Sequence, residues 1–463
     1  MTSLSLTIAE HVSTARFEHL PDAAVAAAKL SLLDALGVSL AASGLSPECR
    51  IFIDLALEAG GTPQSTIIGF GFKAPMLMAA LANGALSHAM DFEDAYEKSP
   101  MHPNAQVIPA VLALAEARGA VSGRDLITAI AVGCDLTCRL GLAMTSDPAS
   151  FGWYTPPVLG ALGAAAACAN LMRFQPVRVL DALSLAIGPG GSSAEVKYST
   201  QSTIRAIRDA FASHAGLLAA RLAAGGVRGF DQPLEGKAAF FKLYAHGGYE
   251  AGPLLEGLGK VFHGADVSFK PWPSCRGTHP FIEAAFDMAV EYDLAPEDVA
   301  SISAGGGRLQ SMLFEPEEVR KAPKNAIDAK FSGPFTIALA LTRRRVTLDD
   351  FSAHDFANPA LLSLAALCDY TVAQGAAGDD PTAGDLTLRL KDGRILTRRI
   401  DQPLGHPAKP MSRQAIEAKF KACARHAAQP LGESGIEALR LAVANLELTT
   451  DGTGALFNSK EAV

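Results

Sequence analysis

Two short stretches of this chain concentrate the side chains that can move protons or grip anions. In the first, Asp91, Glu93, Asp94, Glu97, Lys98 and His102 follow one another closely, directly ahead of an apolar run starting near Asn104. The second, residues 269–280, holds Lys270, Cys275, Arg276 and His279 and is stiffened by Pro271, Pro273 and Pro280. A neutral imidazole can accept a proton near pH 7. His102 precedes Pro103 and a helix start, so the positive end of the helix dipole would favour a neutral ring and a nearby anion. Asp91 or Asp94 could orient that ring or hold its proton; equally, both could cap helices and leave His102 a plain loop residue. In the second stretch, Arg276 offers a planar fork for a carboxylate, and a lysine crowded by other cations loses its proton more easily, which would make Lys270 a base. The plain alternative there is a domain-linking turn with solvated charges. Cys275 in so electropositive a setting could be a nucleophile, but the pattern supplies no partner for it. The two loops read as two halves of one site.

A third cluster is Arg205, Arg208 and Asp209, in a helical run ending at residues 217–220. Arg205 and Arg208 are three apart and share a helix face, which is either a solvated face or an anion-binding one. Other motifs are weaker. Residues 188–193 (Gly-Pro-Gly-Gly-Ser-Ser) lack the lysine of a phosphate-binding loop and follow a helix, and residues 304–307 have no dinucleotide-binding frame. His88, Asp91, Asp94 and His102 could ligate a divalent ion, but at no familiar spacing. There is no G-x-S-x-G, so little supports a serine hydrolase.

The bulk of the chain limits what such loops can serve. Its 463 residues are too many for one ordinary core, and 49% apolar against 19% charged residues suits a well-buried globular protein. A net charge of −8 gives no general basis for binding nucleic acid or anionic membrane. The seven cysteines are odd in number and scattered, with Cys134 and Cys138 in i, i+4 relation and no second pair to complete a zinc site. They read as buried small hydrophobes in a reducing cytosol. No signal peptide is expected, and the apolar run 30–42 contains Asp34 and reads as too short to span a bilayer. The expectation is a cytoplasmic protein with no nucleic-acid or membrane partner.

The elements that must position the loops divide by texture. To about residue 265 the pattern is helical, with segments predicted at 23–43, 76–90, 105–118 (closed by Gly119 as a C-cap), 124–142, 159–171 and 177–187. Runs of small residues at 161–169 and 219–224 permit close helix packing. Beyond 267, residues 299–304 read as a strand. Residues 385–390 and 394–400 alternate apolar and polar around Lys391-Asp392-Gly393, a hairpin signal. Helices are predicted between these at 281–292 and 333–341. Residues 403–410 read as a linker, 412–426 and 435–446 as helices, and the tail after Thr449 as loose. The predicted fold is mainly α: a discontinuous all-helical bundle domain (1–266 and 403–463) with an α+β lid domain (267–402).

At these residues the chain resembles the MmgE/PrpD family, which includes 2-methylcitrate dehydratases, cis-aconitate decarboxylases and iminodisuccinate epimerases. The matching elements run in order along nearly the whole chain: Leu33-Asp34-Ala35-Leu36-Gly37-Val38, Asn83-Gly84 with His88, Asp91-Phe92-Glu93-Asp94 with His102-Pro103, residues 270–276 with His279-Pro280, and residues 329–335. The resemblance implies a helical domain, a smaller lid, a site between them, a homodimer, and cofactor-independent chemistry on small polycarboxylates. It places Asp91, His102 and Lys270 at active-site positions, with Arg276 and His279 in the same motif. Tyr154 stands where the decarboxylase branch has a histidine, Arg205 and Arg208 where it has a lysine and a histidine, and Phe335 where the family has a tyrosine.

The chemistry expected from both readings is abstraction of a proton next to a carboxylate. Lys98, Arg205, Arg208 and Arg276 would bind and stabilise the dianionic intermediate, with His279 beside them. Lys270 and either His102 or Tyr154 would move the proton, with Asp91 assisting. Two bases on opposite faces of the carbon give epimerisation, and a base with an acid at a leaving group gives elimination. The substitutions slightly favour an epimerase of iminodisuccinate type over a lyase of the 2-methylcitrate dehydratase or cis-aconitate decarboxylase type. A non-catalytic polycarboxylate-binding scaffold and a metal-dependent hydrolase are the other readings.

Overall fold

The computed structural model describes residues 3–99, 101–199, 202–373 and 382–457. The chain is mainly α-helical and divides into two units, Met1–Tyr198 with Ile204–Val267 and Arg413–Val463, and Ser199–Thr203 with Ser268–Ser412.

The first stretch of unit 1 contains α1 (Leu4–Thr14), α2 (Asp22–Leu45), α3 (Arg50–Glu58), α4 (Met76–Ala89), α5 (Pro103–Arg118), α6 (Gly123–Ala143), α7 (Thr155–Leu171), α8 (Pro176–Ile187), α9 (Ile204–Ile207), α10 (Asp209–Ala224), α11 (Phe240–Ala245) and α12 (Gly252–Leu255). A hairpin of β1 (Ser65–Ile67) and β2 (Phe72–Ala74) lies between α3 and α4. The core is a packed set of α4, α5, α6, α7 and α10, and small residues set its spacing. A side chain on Gly133 of α6 would come within 2.8 Å of the Gly163 carbonyl of α7, and one on Gly216 of α10 within 2.8 Å of the Ala161 carbonyl. The alanine-rich texture therefore brings backbones together, and close-packed interiors leave no slack for a larger residue. Helices α2 and α6 are long and apolar enough to cross a membrane by length and composition, so the run expected to be too short belongs to a longer helix. Both are largely buried among other helices, as core helices are.

Unit 2 contains α13 (His279–Glu291), β3 (Val299–Gly306), α14 (Glu317–Lys321), α15 (Ala326–Lys330), α16 (Gly333–Arg343), α17 (Pro359–Ala366), β4 (Cys368–Val372), β5 (Gly384–Leu390) and β6 (Ile395–Ile400). Its sheet has the order β4-β3-β5-β6, with β3–β4 parallel and the other two pairs antiparallel. The hairpin around Asp392-Gly393 forms as the alternation predicts, with Gly393 at φ +91°. The sequence reading passed over strand β4, although its five residues alternate apolar and polar and their burial alternates with them.

The chain then returns to unit 1 as α18 (Arg413–Ala424), α19 (Gly432–Ala444) and α20 (Gly452–Phe457). Two expectations shift here. Residues 403–412 go with unit 2, because Arg276 donates to the carbonyls of Leu404 (2.8 Å) and Pro403 (3.2 Å) and the Leu404 amide donates to Glu283 (2.6 Å). The tail is not loose as far as Phe457: α20 buries Leu456 and Phe457, and the Gly452 amide donates to the Val121 carbonyl at 2.7 Å. Two buried apolar side chains and one backbone bond outweigh the polar flanks that made the segment look mobile.

Candidate functional site

Helix α4 ends at Ala89, and the chain turns back on itself through Asp91, whose φ of +49° is a left-handed conformation that aspartate tolerates better than most residues. Its amide donates to the His88 carbonyl at 2.7 Å. The turn folds Glu93 back onto His88, whose Nδ1 lies 2.8 Å from Glu93 Oε1. His102, just before α5, approaches the same oxygen with its own Nδ1 at 2.9 Å and the Asp94 carbonyl at 2.7 Å. The two rings are 5.2 Å apart. One carboxylate thus serves two histidines.

These partners set the tautomers. Both neighbours of His102 Nδ1 are acceptors, so Nδ1 carries the hydrogen and Nε2 presents its lone pair; among the described residues Nε2 has no hydrogen-bond partner. At His88 the Arg208 guanidinium contacts Nε2 and can only donate, so that ring holds its hydrogen on Nδ1 toward Glu93. Burial, and then the Arg208 charge, push the His88 imidazole below its ordinary range. His88 is fully buried, whereas the His102 side chain keeps 16% exposure.

Asp94 has a different job. Its Oδ2 accepts from the Asn104 side chain at 2.9 Å and lies 3.3 Å from the Asn104 amide in the first turn of α5. Burial raises its carboxyl to about 7, against the lowering influence of His102 and the Asn104 hydrogen bond, with Asp34 and Glu93 adding to the rise. The folded carboxyl therefore keeps its proton between pH 4 and 7, where an unfolded aspartate has lost it, so Asp94 costs stability progressively as pH rises through that window. Asp94→Asn is expected to melt at a temperature that rises relative to the parent protein between pH 5 and pH 8. A pH-independent difference in melting temperature would contradict the raised carboxyl.

The arginine cluster is buried in the same unit. Arg208 donates to the Arg205 carbonyl at 2.9 Å, lies 3.6 Å from Asp209, and stacks its guanidinium 4.9 Å from the Tyr154 ring centre, with Lys197 5.5 Å from that ring. Asp91 and Glu93 add their charges to its surroundings. Arg205, Arg208 and Tyr154 are all buried. Asp91, His102, Arg205, Arg208 and Tyr154 thus belong to one polar interior in unit 1. Lys98 does not join it: its side chain is 58% exposed and its ammonium is 2.6 Å from Asp266.

In unit 2, Lys270 is fully buried. The Arg276 guanidinium is committed to the 403–404 backbone and to His279 Nδ1 at 3.0 Å. His279 Nε2 in turn donates to the Ser274 carbonyl at 3.2 Å. The polar atoms of both side chains brace the loop, a structural duty that the sequence reading did not give them. Gly405, at φ +90°, is required beside it, since a side chain would drive into the Phe269 carbonyl. Cys275 is half-buried, and the six other cysteines are buried.

Sequence reasoning gave Glu93 no individual role and His88 only that of a possible metal ligand. Their five-residue spacing spans no regular element, and only the left-handed turn at Asp91 brings them together. Donor atoms of His88, Asp91, Glu93 and His102 lie within 4.8 Å of one another, close enough to hold a cation. Glu93 replaces Asp94 in the set the sequence suggested, because the Asp94 carboxyl is turned toward Asn104. Both imidazole Nδ1 atoms face Glu93, and Arg208 covers His88 Nε2, so the cluster is already knit by hydrogen bonds and a fixed cation.

Comparison with known proteins gives the same outline. Residues 6–251 match the MmgE/PrpD N-terminal domain and residues 272–447 the MmgE/PrpD C-terminal domain. The chain is similar to cis-aconitate decarboxylases from Mus musculus (27% identity, 96% of this chain, 91% of the relative). The corresponding figures are 27%, 96% and 92% for Homo sapiens, and 25%, 94% and 91% for Aspergillus terreus. The chain is an enzyme of the MmgE/PrpD family.

Proposed function

We propose that the enzyme is a lyase that decarboxylates a small unsaturated polycarboxylate of the cis-aconitate type. The observation that carries this reading is the similarity, across nearly the full length of both chains, to cis-aconitate decarboxylases of three organisms. It moves the balance from the epimerase favoured by the sequence toward the lyase alternative. The chemistry of unit 1 supports it. In decarboxylation the bond to one carboxylate breaks, carbon dioxide leaves, and the electron pair spreads onto the remaining carboxylates through the double bond. The charge that develops calls for fixed cations, which Arg205 and Arg208 supply in a buried setting where they need little reorganisation. The carbon that gains electron density must then take a proton. His102 Nε2 is the proton-exchanging atom of that interior, and Glu93, accepting from Nδ1, stabilises the imidazolium before it gives the proton up. Tyr154, held against Arg208, lines the same interior. In unit 2, Lys270 is the further candidate for proton transfer, and no metal or organic cofactor is required by these steps.

Proton NMR in D₂O, with cis-aconitate, 2-methylcitrate and iminodisuccinate supplied separately, tests the reading. Loss of the cis-aconitate vinyl signal, one carbon dioxide per molecule consumed, and deuterium at carbon in the product are expected. Deuterium entering iminodisuccinate with no vinyl change would instead return the enzyme to epimerisation. A vinyl signal growing from 2-methylcitrate without carbon dioxide would make it a dehydratase.

A further inference from the structure

The buried stripe of α18 is Ile416, Lys419, Phe420 and Cys423, at helical spacing. A lysine in such a stripe carries a heavy desolvation penalty unless it is paired and hydrogen-bonded. Its contacts account for its presence. Lys419 Nζ lies 2.6 Å from Asp34 Oδ1 on α2, donates to the Phe92 carbonyl at 2.6 Å, and sits 4.0 Å from the centre of the Phe92 ring. The approach is close: a side chain on Gly37 of α2 would meet Phe420 at 3.1 Å. One turn before Asp34, Ser31 receives the Asn104 amide hydrogen at 3.0 Å, and the same Asn104 side chain holds Asp94. Helix α2 therefore anchors the loop 91–94 at two points, at Asp94 through Asn104 and at Phe92 through Lys419. Glu93, which sits between two histidines, lies between those anchors.

We propose that Lys419 is a positioning residue for the candidate site: by clamping the Phe92 carbonyl to Asp34, it holds Glu93 where it can orient His88 and His102 together. The proposal deepens the catalytic reading of that interior and rests on it for its kinetic arm. A merely stabilising ion pair would act differently, and the two roles can be separated. Lys419→Met removes the cation beside the buried Asp34 carboxylate, so it lowers both the melting temperature and kcat. Adding Asp34→Asn removes the buried charge and restores much of the melting temperature, but the Lys419 hydrogen bond to the Phe92 carbonyl is still missing.

The test compares the parent protein, Lys419→Met, Lys419→Arg and the Lys419→Met/Asp34→Asn double variant. It measures melting temperature, kcat and KM for cis-aconitate, and amide hydrogen exchange of residues 88–96. The double variant is expected to melt near the parent protein. Its kcat should stay at least tenfold down with KM within about twofold, corresponding to about 1.4 kcal/mol or more of lost transition-state stabilisation. Exchange in 88–96 should be several-fold faster, and Lys419→Arg, which can still reach both acceptors, should recover part of kcat. Return of kcat together with melting temperature in the double variant, or unchanged exchange in 88–96, would overturn the proposal. Exchange needs no substrate, so a parent protein inert toward cis-aconitate would defeat the decarboxylase reading and leave the exchange result to decide the clamp.

Discussion

His102→Gln is expected to lower kcat for cis-aconitate by about 10²–10⁴-fold, the usual contribution of a positioned acid–base group, while KM changes much less. Glutamine keeps the size and one hydrogen bond toward Glu93 or the Asp94 carbonyl, so the fold and the α5 terminus should survive. What disappears is Nε2 of His102, a ring nitrogen with no hydrogen-bond partner among the described residues, on the ring of the Glu93-centred pair that keeps some exposure. His88 cannot take over, because it is fully buried and Arg208 covers its Nε2. A companion variant, Glu93→Gln, should lower the rate as well, because the carboxylate that accepts from Nδ1 of His102 and offsets the charge of an imidazolium formed during turnover would be gone. Steady-state kinetics from pH 5.5 to 8.5 provides the check. A His102→Gln enzyme within threefold of the parent would remove His102 from proton transfer and turn attention to Tyr154 and Lys270.

The reasons that Glu93 was illegible in the sequence and His102 legible are physical. His102-Pro103 ahead of an apolar helical run announces a helix start, and anything at a helix N-terminus inherits its dipole. Glu93 matters only because Asp91 adopts a left-handed turn, a single-residue event with no periodic signature. The helices were readable for the same reason as His102: α4, α5, α6, α7 and α8 combine long apolar runs with proline or glycine punctuation, and their ends fall within a few residues of the predicted ones. In α7 the predicted start at 159 missed Thr155–Val158, since Pro156 and Pro157 look like a break but occupy the first turn, where a missing amide hydrogen costs nothing. Charge was the least legible property. Lys98, Arg276 and His279 look like anion binders when written in a line. In three dimensions Lys98 pairs with Asp266 at the surface, and the other two secure a loop. A sequence shows which residues carry donors; it does not show which donors the protein's own carbonyls have already taken.

The same distinction predicts where the largest loss of stability lies, in a residue with no catalytic claim. Arg139 on α6 is fully buried, bonds Asp135 one turn earlier at 2.7 Å, and donates to the carbonyls of Glu256 (2.8 Å), Pro253 (3.2 Å), Leu254 (3.3 Å) and Val261 (2.7 Å). Asp135 completes the arrangement by accepting from the His263 amide at 2.8 Å. One guanidinium thereby takes up four carbonyls of residues 253–261, where α12 gives way to turns. Arg139→Met keeps the apolar volume but strands a buried carboxylate and several carbonyls together. Breaking a buried pair from one side costs about 3–5 kcal/mol, mostly as the penalty on the charge left behind. Chemical denaturation should show a loss of that size, and adding Asp135→Asn should recover part of it while leaving the carbonyls unsatisfied. If Arg139→Met were within about 1 kcal/mol of the parent protein, the range for an ordinary hydrogen bond, the segment 253–261 would have to be satisfied by water and α6 would not be its anchor. Because the loss falls on folding and not on the Glu93-centred pair, enzyme that remains folded should keep its kcat, which separates this variant from His102→Gln in a single set of kinetic measurements.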